Sequence, residues 1–312
     1  MKKSIGIMCA TFNEEQNIQK LVDAIDAQLA ELNDLINYRI VFIDNDSEDQ
    51  TQKILRDIAN SKSHVSCIFN ERNYGANRSS FHGMLETPGD AVVMMCSDFQ
   101  DPPELLPELV KRWLNGERVI MCRKSSSDEK VGYRILRAAY YRFLAFSHPM
   151  YRDIIGCTGF GIYDRKVIER LRSIDDNYPF FRGLIAETCS SIEYLEYRRP
   201  FRMAGRSSMN LYRLWDEGVI GLINNSKVAI RFITIFGVFC AFVSCIFALV
   251  AVCLKLFYWD LFPMGVAPIL LLQLFSVGCV MFSLGIIGEY VGAIYTQSIG
   301  RSCVYEKERL NL

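Results

Sequence analysis

Up to about residue 200, short apolar runs alternate with longer segments in which apolar residues recur every three or four positions. The short runs are typical of strands buried on both faces, and the longer segments of one-faced helices. The helix predicted over residues 14–32 shows this pattern, because its apolar residues fall on one side. Five strands are predicted, over Ile5–Ala10, Tyr38–Ile43, Val65–Phe69, Ala91–Met95 and Arg118–Cys122.

Helices are predicted between the strands. Ser47 and Gln50 have the spacing of a capping box before the second helix, and the third helix ends near Glu86. The fourth begins with proline in its first turn, after Pro102, and ends at Gly116. Such alternation predicts an α/β fold with a mainly parallel, doubly wound sheet. No G-x-G-x-x-G or Walker sequence follows a strand, which argues against a dinucleotide-binding or P-loop domain.

Two long segments without charged residues follow, at Phe232–Leu254 and Leu261–Gly288. Each exceeds the roughly 20 residues that a helix needs to cross a bilayer. We therefore predict a C-terminal transmembrane hairpin; the alternative is two buried helices of a soluble domain. Basic residues flank both ends of the hairpin, which predicts that both termini lie in the cytoplasm.

Residues 211–230 carry apolar side chains at helical spacing, among them Trp215. This pattern predicts an amphipathic helix in the membrane interface, where tryptophan is favoured. A plain linker helix packed on the catalytic domain is the alternative. The predicted organisation is a cytoplasmic domain at 1–210, the interface helix at 211–230, the hairpin at 231–292 and a cytoplasmic tail at 293–312. Such a chain is a multi-pass protein of the inner (plasma) membrane.

Composition excludes several functional classes. Lysine plus arginine and aspartate plus glutamate number 35 each, so the charge does not indicate a nucleic-acid partner. The 11 cysteines are scattered without a C-x-x-C pair, as expected for reduced cysteines of an intracellular protein. The three histidines are isolated, so zinc chemistry of the H-E-x-x-H type is not available.

Polar residues collect where three of the predicted strands end. Thr11, Asn13 and Glu14 follow the first strand, Asp44 to Asp46 follow the second, and Asp98 and Gln100 follow the fourth. The carboxyl ends of parallel strands are where open α/β sheets bind ligands. Any one of these clusters is also explained as a helix N-cap. Their coincidence predicts a shared site.

The motifs at these strand ends resemble those of the family 2 glycosyltransferases of the GT-A fold. They read T-F-N-E-E, V-F-I-D-N-D-S-E-D-Q-T, R-N-Y-G and S-D-F-Q-D-P-P-E, in that order. The last of them, with R-G-L at 182–184, A-G-R-S at 204–207 and G-I-I-G-E-Y after the second apolar segment, is similar to the polyprenyl-phosphate glycosyltransferases. These include dolichyl-phosphate mannose synthases and undecaprenyl-phosphate glucosyltransferases. The resemblance covers nearly the whole chain.

The resemblance implies a nucleotide-sugar site at the strand ends. Asp44 is expected at the base and Asp46 near the ribose. Asp98 is expected to be catalytic and, with Gln100, to bind Mg²⁺ or Mn²⁺ on the donor diphosphate. The residues expected to contact the nucleotide-sugar are Thr11, Asn13, Glu14, Asp44, Asp46, Asn73 and Gly75.

This chain departs from the family pattern at two positions. Cys96 stands where the first aspartate of the D-x-D metal motif is usual, and a thiol is a poor ligand for so hard a cation. Gly159 stands where an acidic residue is common. Asp153 and Glu187 are the candidates to replace that acid.

The reaction implied is attack by a lipid phosphate on the anomeric carbon of a sugar nucleotide, with inversion. A phosphate monoester has a second pKa near ~6, so the acceptor is mostly dianionic and needs no strong base. The guanidinium fork suits phosphate oxygens. The candidate acceptor-phosphate residues are Arg123, Arg134, Arg137, Arg182, Arg202, Arg206 and Ser207, with Arg199 among the basic residues that lead towards the membrane. At least half of these arginines are expected to be topology determinants or headgroup contacts instead.

Two other functions stay open at this point. A processive polysaccharide synthase shares the domain, but the chain lacks a Q-x-x-R-W sequence and further spans for a channel. A non-catalytic membrane scaffold is the other, and the joint presence of Asp44, Asp46, Asp98 and Gln100 argues against it. A UDP-sugar such as UDP-glucose is preferred as donor, and the two-span anchor favours a bacterial, undecaprenyl acceptor. Glycines in the apolar segments offer faces for a homo-oligomer.

Overall fold

The computed structural model describes residues 2–126, 154–174, 176, 179–200, 266–298 and 304–312, together with short pieces between 235 and 257. The chain separates into two compact units. The first comprises residues 1–211 and 300–312, and the second comprises residues 212–299.

One mixed sheet runs through the first unit. Its strands are β1 (Lys3–Thr11), β2 (Ile36–Asp44), β3 (Val65–Asn70), β4 (Ala91–Cys96), β5 (Val119–Ser126), β6 (Cys157–Asp164), β7 (Glu193–Arg198) and β8 (Glu306–Leu310). The order across the sheet is β7-β5-β6-β4-β1-β2-β3-β8. The pairs β1–β2, β1–β4, β2–β3 and β5–β7 are parallel, whereas β6 and β8 run antiparallel to their neighbours. The predicted α/β class with a mainly parallel sheet is confirmed.

Helices cover both faces of this sheet. They are α1 (Ile18–Leu29), α2 (Thr51–Ser61), α3 (Ala76–Glu86), α4 (Leu106–Leu114), α5 (Arg165–Arg172) and α6 (Phe181–Thr188). Phe42 belongs to the core that contains α1, α2 and α4, whereas its neighbour Ile43 lies against Gly83 of α3. Successive strand residues point to opposite faces, so α3 covers the other side. The sheet is doubly wound, as predicted.

The core on the first face is built from the apolar stripe of α1. Its five buried side chains are those predicted to share one side: Ile18, Leu21, Val22, Ile25 and Leu29. Full burial of each of these side chains contributes about 1.5–3 kcal/mol to the stability of the folded state. The helix begins four residues later than predicted because Glu14 and Asn17 form a turn instead. The backbone N–H of Asn17 donates to the Glu14 carbonyl at 2.9 Å, and Asn17 Nδ2 donates to Glu14 Oε2 at 2.6 Å.

The start of α2 differs from the predicted capping box. Its N-cap is Gln50, which makes no side-chain cap hydrogen bond, and the Thr51 N–H donates to Asp49 Oδ1 at 2.9 Å. Ser47 lies outside the helix and donates to Asp44 at the end of β2. The prediction that Ser47 caps α2 is therefore wrong, because its hydroxyl is used by the strand end.

The C-terminal residues, for which we predicted only a tail, form the edge strand β8 beside β3. Asn311 fixes the end of this strand: its Nδ2 donates to the carbonyls of Ala59 and Val65 at 2.6 and 3.0 Å. At the other end, Glu306 Oε1 lies 2.5 Å from His82 Nε2. Arg309 Nη2 donates to Glu86 Oε2 at 2.7 Å. The last residues of the chain thus belong to the same sheet as the first.

The second unit contains the long apolar helix α7 (Val266–Ser298). Its segment Phe275–Gly292 has a mean hydropathy of 1.5 and is the one stretch in the described part of the chain that is long and apolar enough to cross a membrane. Residues 235–240, within the first predicted span, are helical. Most of that span and all of the predicted interface helix lie outside the described residues, so the two-helix hairpin stays a prediction.

Candidate active site

The carboxyl ends of β1, β2 and β4 meet at one edge of the sheet. Thr11 is the register partner of Asp44. Its Oγ1 lies 2.8 Å from Ser97 Oγ, directly after β4, and its carbonyl accepts from the Asn45 N–H at 3.0 Å. The three polar clusters that the sequence predicted to converge therefore do lie together.

The loop after β1 is fastened to the loop after β2. The Asn13 N–H donates to Ser47 Oγ at 2.8 Å, and the Glu48 N–H donates to Asn13 Oδ1 at 2.8 Å. Ser47 in turn donates from Oγ to Asp44 Oδ1 at 2.5 Å and from its backbone N–H to Oδ2 at 3.1 Å. Asp44 is fully buried, and burial raises its pKa although the hydrogen bonds from Ser47 and Gln52 lower it. Its carboxyl group is thus held in one orientation.

An asparagine network fastens β2 to β3. Asn45 Nδ2 donates to Asn73 Oδ1 at 2.9 Å, and its Oδ1 accepts from Asn70 Nδ2 at 3.1 Å. Asn73 Oδ1 also accepts from the Gly75 N–H at 2.9 Å. Asn73 and Gly75 are exposed just before α3, beside the ends of the strands. Both predicted residues therefore border the same edge of the sheet.

Backbone strain is concentrated at this edge. Of the four described non-glycine residues with positive φ, three follow these strand ends: Asn13 (φ 55°), Asp46 (φ 63°) and Phe99 (φ 60°). Each such residue costs of order 1–3 kcal/mol unless its surroundings impose the conformation, and such residues cluster at functional sites. A bulky residue such as Phe99 is a stronger outlier than an asparagine. Its ring packs against the core, which anchors the turn that carries Asp98 and Gln100.

The turn after β4 is closed by Asp101. The Cys96 N–H donates to Asp101 Oδ2 at 2.9 Å, and the Gln100 N–H donates to Asp98 Oδ1 at 3.1 Å. Tyr197 Oη donates to Asp101 Oδ1 at 3.3 Å. Burial raises the pKa of Asp101, although Arg199 and the hydrogen bonds from Cys96 act in the opposite direction. Asp98 and Gln100 therefore lie on a turn that is held by hydrogen bonds of its own residues and of Tyr197.

The donors on this turn fit a divalent cation that takes most of its ligands from elsewhere. The described residues contain no group of three or more His, Cys, Asp or Glu side chains able to hold a metal. Asp98 and Gln100 offer hard oxygen donors, and Mg²⁺ is commonly bound by one or two carboxylates together with substrate phosphates and water. Burial, with Asp101 and Asp98, raises the pKa of the Cys96 thiol well above its ordinary value. A thiol is also a poor ligand for so hard a cation, which leaves Asp98 and Gln100 as the donors of this turn.

Two of the predicted phosphate-binding arginines lie together at the start of β6. Arg123, which belongs to β5 rather than following it, is the register partner of Cys157. Its guanidinium lies 3.8 Å from the ring centroid of Tyr194. Arg182 Nη1 donates to the Cys157 carbonyl at 2.8 Å. Since β6 is antiparallel to β4, its start lies at the edge where β4 ends.

The missing acid at position 159 has a conformational explanation. Gly159 has φ +97°, which L side chains rarely adopt, and its carbonyl accepts from Tyr163 Oη at 2.7 Å. Glu187, a candidate to replace that acid, has an exposed side chain in the last turn of α6. The remaining predicted site residues lie outside the described part of the chain: Asp153, Arg134, Arg137, Arg202, Arg206 and Ser207.

Comparison with known families decides the class of the protein. The family model described as "Glycosyl transferase family 2" matches residues 7–172, more than half of the chain. The chain belongs to this family. It is a glycosyltransferase, and its sheet is that of the GT-A fold.

Relatives of this glycosyltransferase match over nearly their whole length. It is 27% identical over 310 residues to the bactoprenol glucosyl transferase of Shigella phage SfX, covering 98% of this chain and 99% of that protein. It is 28% identical over 299 residues to the bactoprenol glucosyl transferase of Shigella phage SfV, with coverages of 94% and 95%. The uncharacterized glycosyltransferase YkcC of Bacillus subtilis is 29% identical over 302 residues, with coverages of 95% and 91%.

A solved structure agrees with the fold of the glycosyltransferase domain. The structure of glucosyl-3-phosphoglycerate synthase from M. tuberculosis superimposes with a TM-score of 0.51 at 21% identity. The match covers 72% of this chain and 81% of the other.

From the sequence, several residues that build the site of this glycosyltransferase receive no role in it, and Ser47 is interpreted as part of a capping box instead. Asn45, Ser47, Ser97 and Asp101 all stand inside the quoted motifs, so the motifs contained the signal. Tyr197 stands on β7, 96 positions from its partner Asp101, and no local pattern connects the two.

Proposed function

We propose that this glycosyltransferase moves a single sugar, glucose by preference, from a UDP-sugar to undecaprenyl phosphate, with inversion, at the cytoplasmic face of the plasma membrane. The observation that carries the proposal is the similarity, over nearly the full length of both chains, to phage proteins named bactoprenol glucosyl transferases. A match restricted to residues 7–172 would support only the transfer of a sugar.

The donor nucleotide is assigned to the edge where β1, β2 and β3 end. Asp44 is the buried carboxyl group expected to accept from the base, and Asp46 lies two residues further on, beside the expected ribose. Thr11, Asn13 and Glu14 supply the loop on the other side. The hydrogen bonds between these loops support the assignment, because a preorganised site loses less entropy on binding.

The diphosphate is assigned to the turn after β4. Asp98 and Gln100 are the residues that would hold Mg²⁺ or Mn²⁺ there. When bound, the ion neutralises the negative charge that develops on the leaving diphosphate. The chain itself contributes a rigid turn, since Asp101 ties the turn to Cys96 and Phe99 anchors it in the core.

The acceptor phosphate is assigned to the arginines at the start of β6. Arg123 and Arg182 contribute two positive charges at the edge that carries Asp98. These charges would favour the approach of the acceptor phosphate to the negatively charged donor diphosphate. A dianionic phosphate attacks without a strong general base. A single displacement inverts the anomeric carbon. Glu187 and Asp153 remain candidates for a catalytic role.

Two features of the chain support a cytoplasmic domain on a membrane hairpin. β7 and β8 belong to one sheet, so the chain between residues 198 and 306 begins and ends on the same side of any membrane. A crossing by α7 therefore requires a second crossing, for which Phe232–Leu254 has the length and the apolar composition. The basic flanks of the apolar segments favour the cytoplasm as that common side.

The lipid product of the full-length protein, purified in detergent, tests the proposal. With UDP-glucose, undecaprenyl phosphate and Mg²⁺, mass spectrometry should show one added hexose, and NMR should show an anomeric configuration opposite to that of the donor. Asp98→Ala should abolish the product, and the matched variant of an exposed carboxylate nearby, Glu104→Ala, should retain it. A long polymer would instead indicate a processive synthase, and no product with any donor would indicate a non-catalytic scaffold.

A further inference from the structure

Arg199 lies at the same edge of the sheet as Asp98, although the two are far apart in sequence. β7 runs parallel to β5, and both β5 and β4 run antiparallel to β6, so β4, β5 and β7 point the same way. Arg199 directly follows β7, as Asp98 follows β4. The contact between Tyr197 and Asp101 brings the ends of these strands together.

The side chain of Arg199 is half-buried, and its Nε lacks a direct partner. Its Nε is inaccessible to solvent and makes no hydrogen bond, and no described residue forms an ion pair with the side chain. Both oxygens of Asp101, the acid with the largest electrostatic effect on Arg199, already accept hydrogen bonds, from Cys96 and Tyr197. An arginine stays protonated in proteins, so a half-buried guanidinium whose inaccessible Nε has an unused donor is suited to bind an anion.

The acidic groups around Arg199 favour its protonated form. Burial acts to lower the pKa of Arg199, but Asp101 foremost, then Tyr197, Cys96 and Asp98, raise it above its ordinary value. Asp98 and Asp101 therefore act on Arg199 through space, while the donors of its planar fork remain available. A guanidinium fork matches two oxygens of a phosphate group.

We propose that Arg199 binds a phosphate oxyanion of a substrate, either in the diphosphate of the donor or in the phosphate of the lipid acceptor. The proposal rests on the proposed function, since it assigns a residue to the substrates of that reaction. Arg199 is then a binding residue that holds an anion beside the turn carrying Asp98 and Gln100. It faces the diphosphate site from the β7 side.

Binding measurements on the detergent-purified full chain test this role without requiring turnover. The first arm compares UDP with uridine in the absence of divalent metal. The second arm compares undecaprenyl phosphate with undecaprenol in the same micelles. In one arm, Arg199→Gln should reduce the ratio of the affinity for the phosphorylated ligand to that for the unphosphorylated ligand about tenfold or more, as expected for a lost charge-assisted hydrogen bond. The affinity for the unphosphorylated ligand should stay unchanged. The affected arm identifies the phosphate.

Two further variants keep the test decisive. Arg118→Gln, an exposed arginine at the opposite end of β5, should change neither ratio. Arg199→Lys keeps the charge and most of the volume, and should lose part of the advantage because it lacks the fork. If Arg199→Gln, or Arg199→Lys where the first does not fold, matches the wild type in both arms, the proposal is wrong. A wild type that binds UDP but transfers no sugar would refute the proposed reaction and leave the UDP comparison valid.

Discussion

Asp101 Oδ2 accepts the backbone N–H of Cys96 at 2.9 Å, so the last residue of β4 and the fifth residue after it close one turn. Its other oxygen accepts from Tyr197 Oη on β7. Asp101 therefore joins the strand that presents Asp98 to the strand that precedes Arg199. The two strands are not neighbours in the sheet, and one buried carboxyl group links them.

Asp101→Ala should lower the free energy of unfolding by about 1–3 kcal/mol, because it leaves a buried N–H and a hydroxyl without their acceptor. Asp101→Asn should cost less, since its amide oxygen can still accept from Cys96. Urea denaturation of both variants, with UDP affinity measured in parallel, checks this. Equal stability of Asp101→Ala and the wild type would contradict the assigned role.

The buried Asp44 should make stability depend on pH. Its folded pKa is raised above the ordinary 3.8, because burial disfavours the charged form. Its contribution to stability is therefore fully present below the unfolded pKa and is lost as the pH rises through the folded pKa. Relative to Asp44→Asn, the wild type should be most stable near pH 3.8 or below and lose that advantage towards neutral pH. Denaturation of both proteins across this range measures the difference, and a constant difference would show that the pKa of Asp44 is the same in both states.

Gly159→Asp, which introduces the acid that the family resemblance implies at this position, should destabilise the protein and add no activity. Its φ of +97° costs a side-chain-bearing residue about 1–2 kcal/mol, or roughly 2–8 °C in Tm. Gly159→Ala is the matched control, because the nearest atom to an added Cβ is the flexible end of Met94 at 3.6 Å. Thermal unfolding should show similar losses for both variants. A gain in turnover with aspartate alone would instead indicate a catalytic acid at this position.

As the pH falls, β8 should unfold locally before the central strands of the sheet do. Burial alone would raise the pKa values of Glu86 and Glu306, but Arg309, with Arg172 for Glu86 and His82 for Glu306, lowers both. Stability from these groups is present above their ordinary pKa of 4.5 and is lost as the pH falls through the folded values. Hydrogen-exchange protection factors of β8 should therefore drop in acid while those of β1 persist.

Arg309→Gln supplies the control for this prediction. It removes the arginine that contacts both carboxylates, so protection of β8 should already be reduced at neutral pH. Protection that is equal in the variant and the wild type would show that the backbone pairing of β8 with β3 suffices.

The sequence predicted most reliably the elements whose side chains repeat with one period. β1, β2 and β4 each contain a continuous apolar run, because both faces of the sheet are covered there by helices. α1 shows a single apolar stripe because only one of its sides is buried. The strands that were not predicted lack such patterns. β6 contains two glycines, and β8 reads E-K-E-R-L because an edge strand is half exposed to solvent.

The candidate site was predicted where chemistry and strand ends coincide, and was missed where it depends on distant partners. Asp44 and Asp98 stand directly after apolar runs, so the sequence places them at the edge of the sheet. The role of Ser47 was misread because the spacing to Gln50 imitates a capping box, whereas the buried carboxyl of Asp44 competes for its hydroxyl. The link from Asp101 to Tyr197 depends on the order of strands across the sheet, which the sequence does not specify.

Transfer of a sugar to a lipid phosphate is tested most directly by the release of nucleoside diphosphate from a panel of sugar nucleotides by the detergent-purified chain. Each donor is tested with and without undecaprenyl phosphate and Mg²⁺, beside Asp98→Ala. We expect lipid-dependent turnover of one donor, UDP-glucose by preference, and loss of this turnover in the variant. Saturable nucleotide binding with no lipid-dependent release from any donor would contradict it.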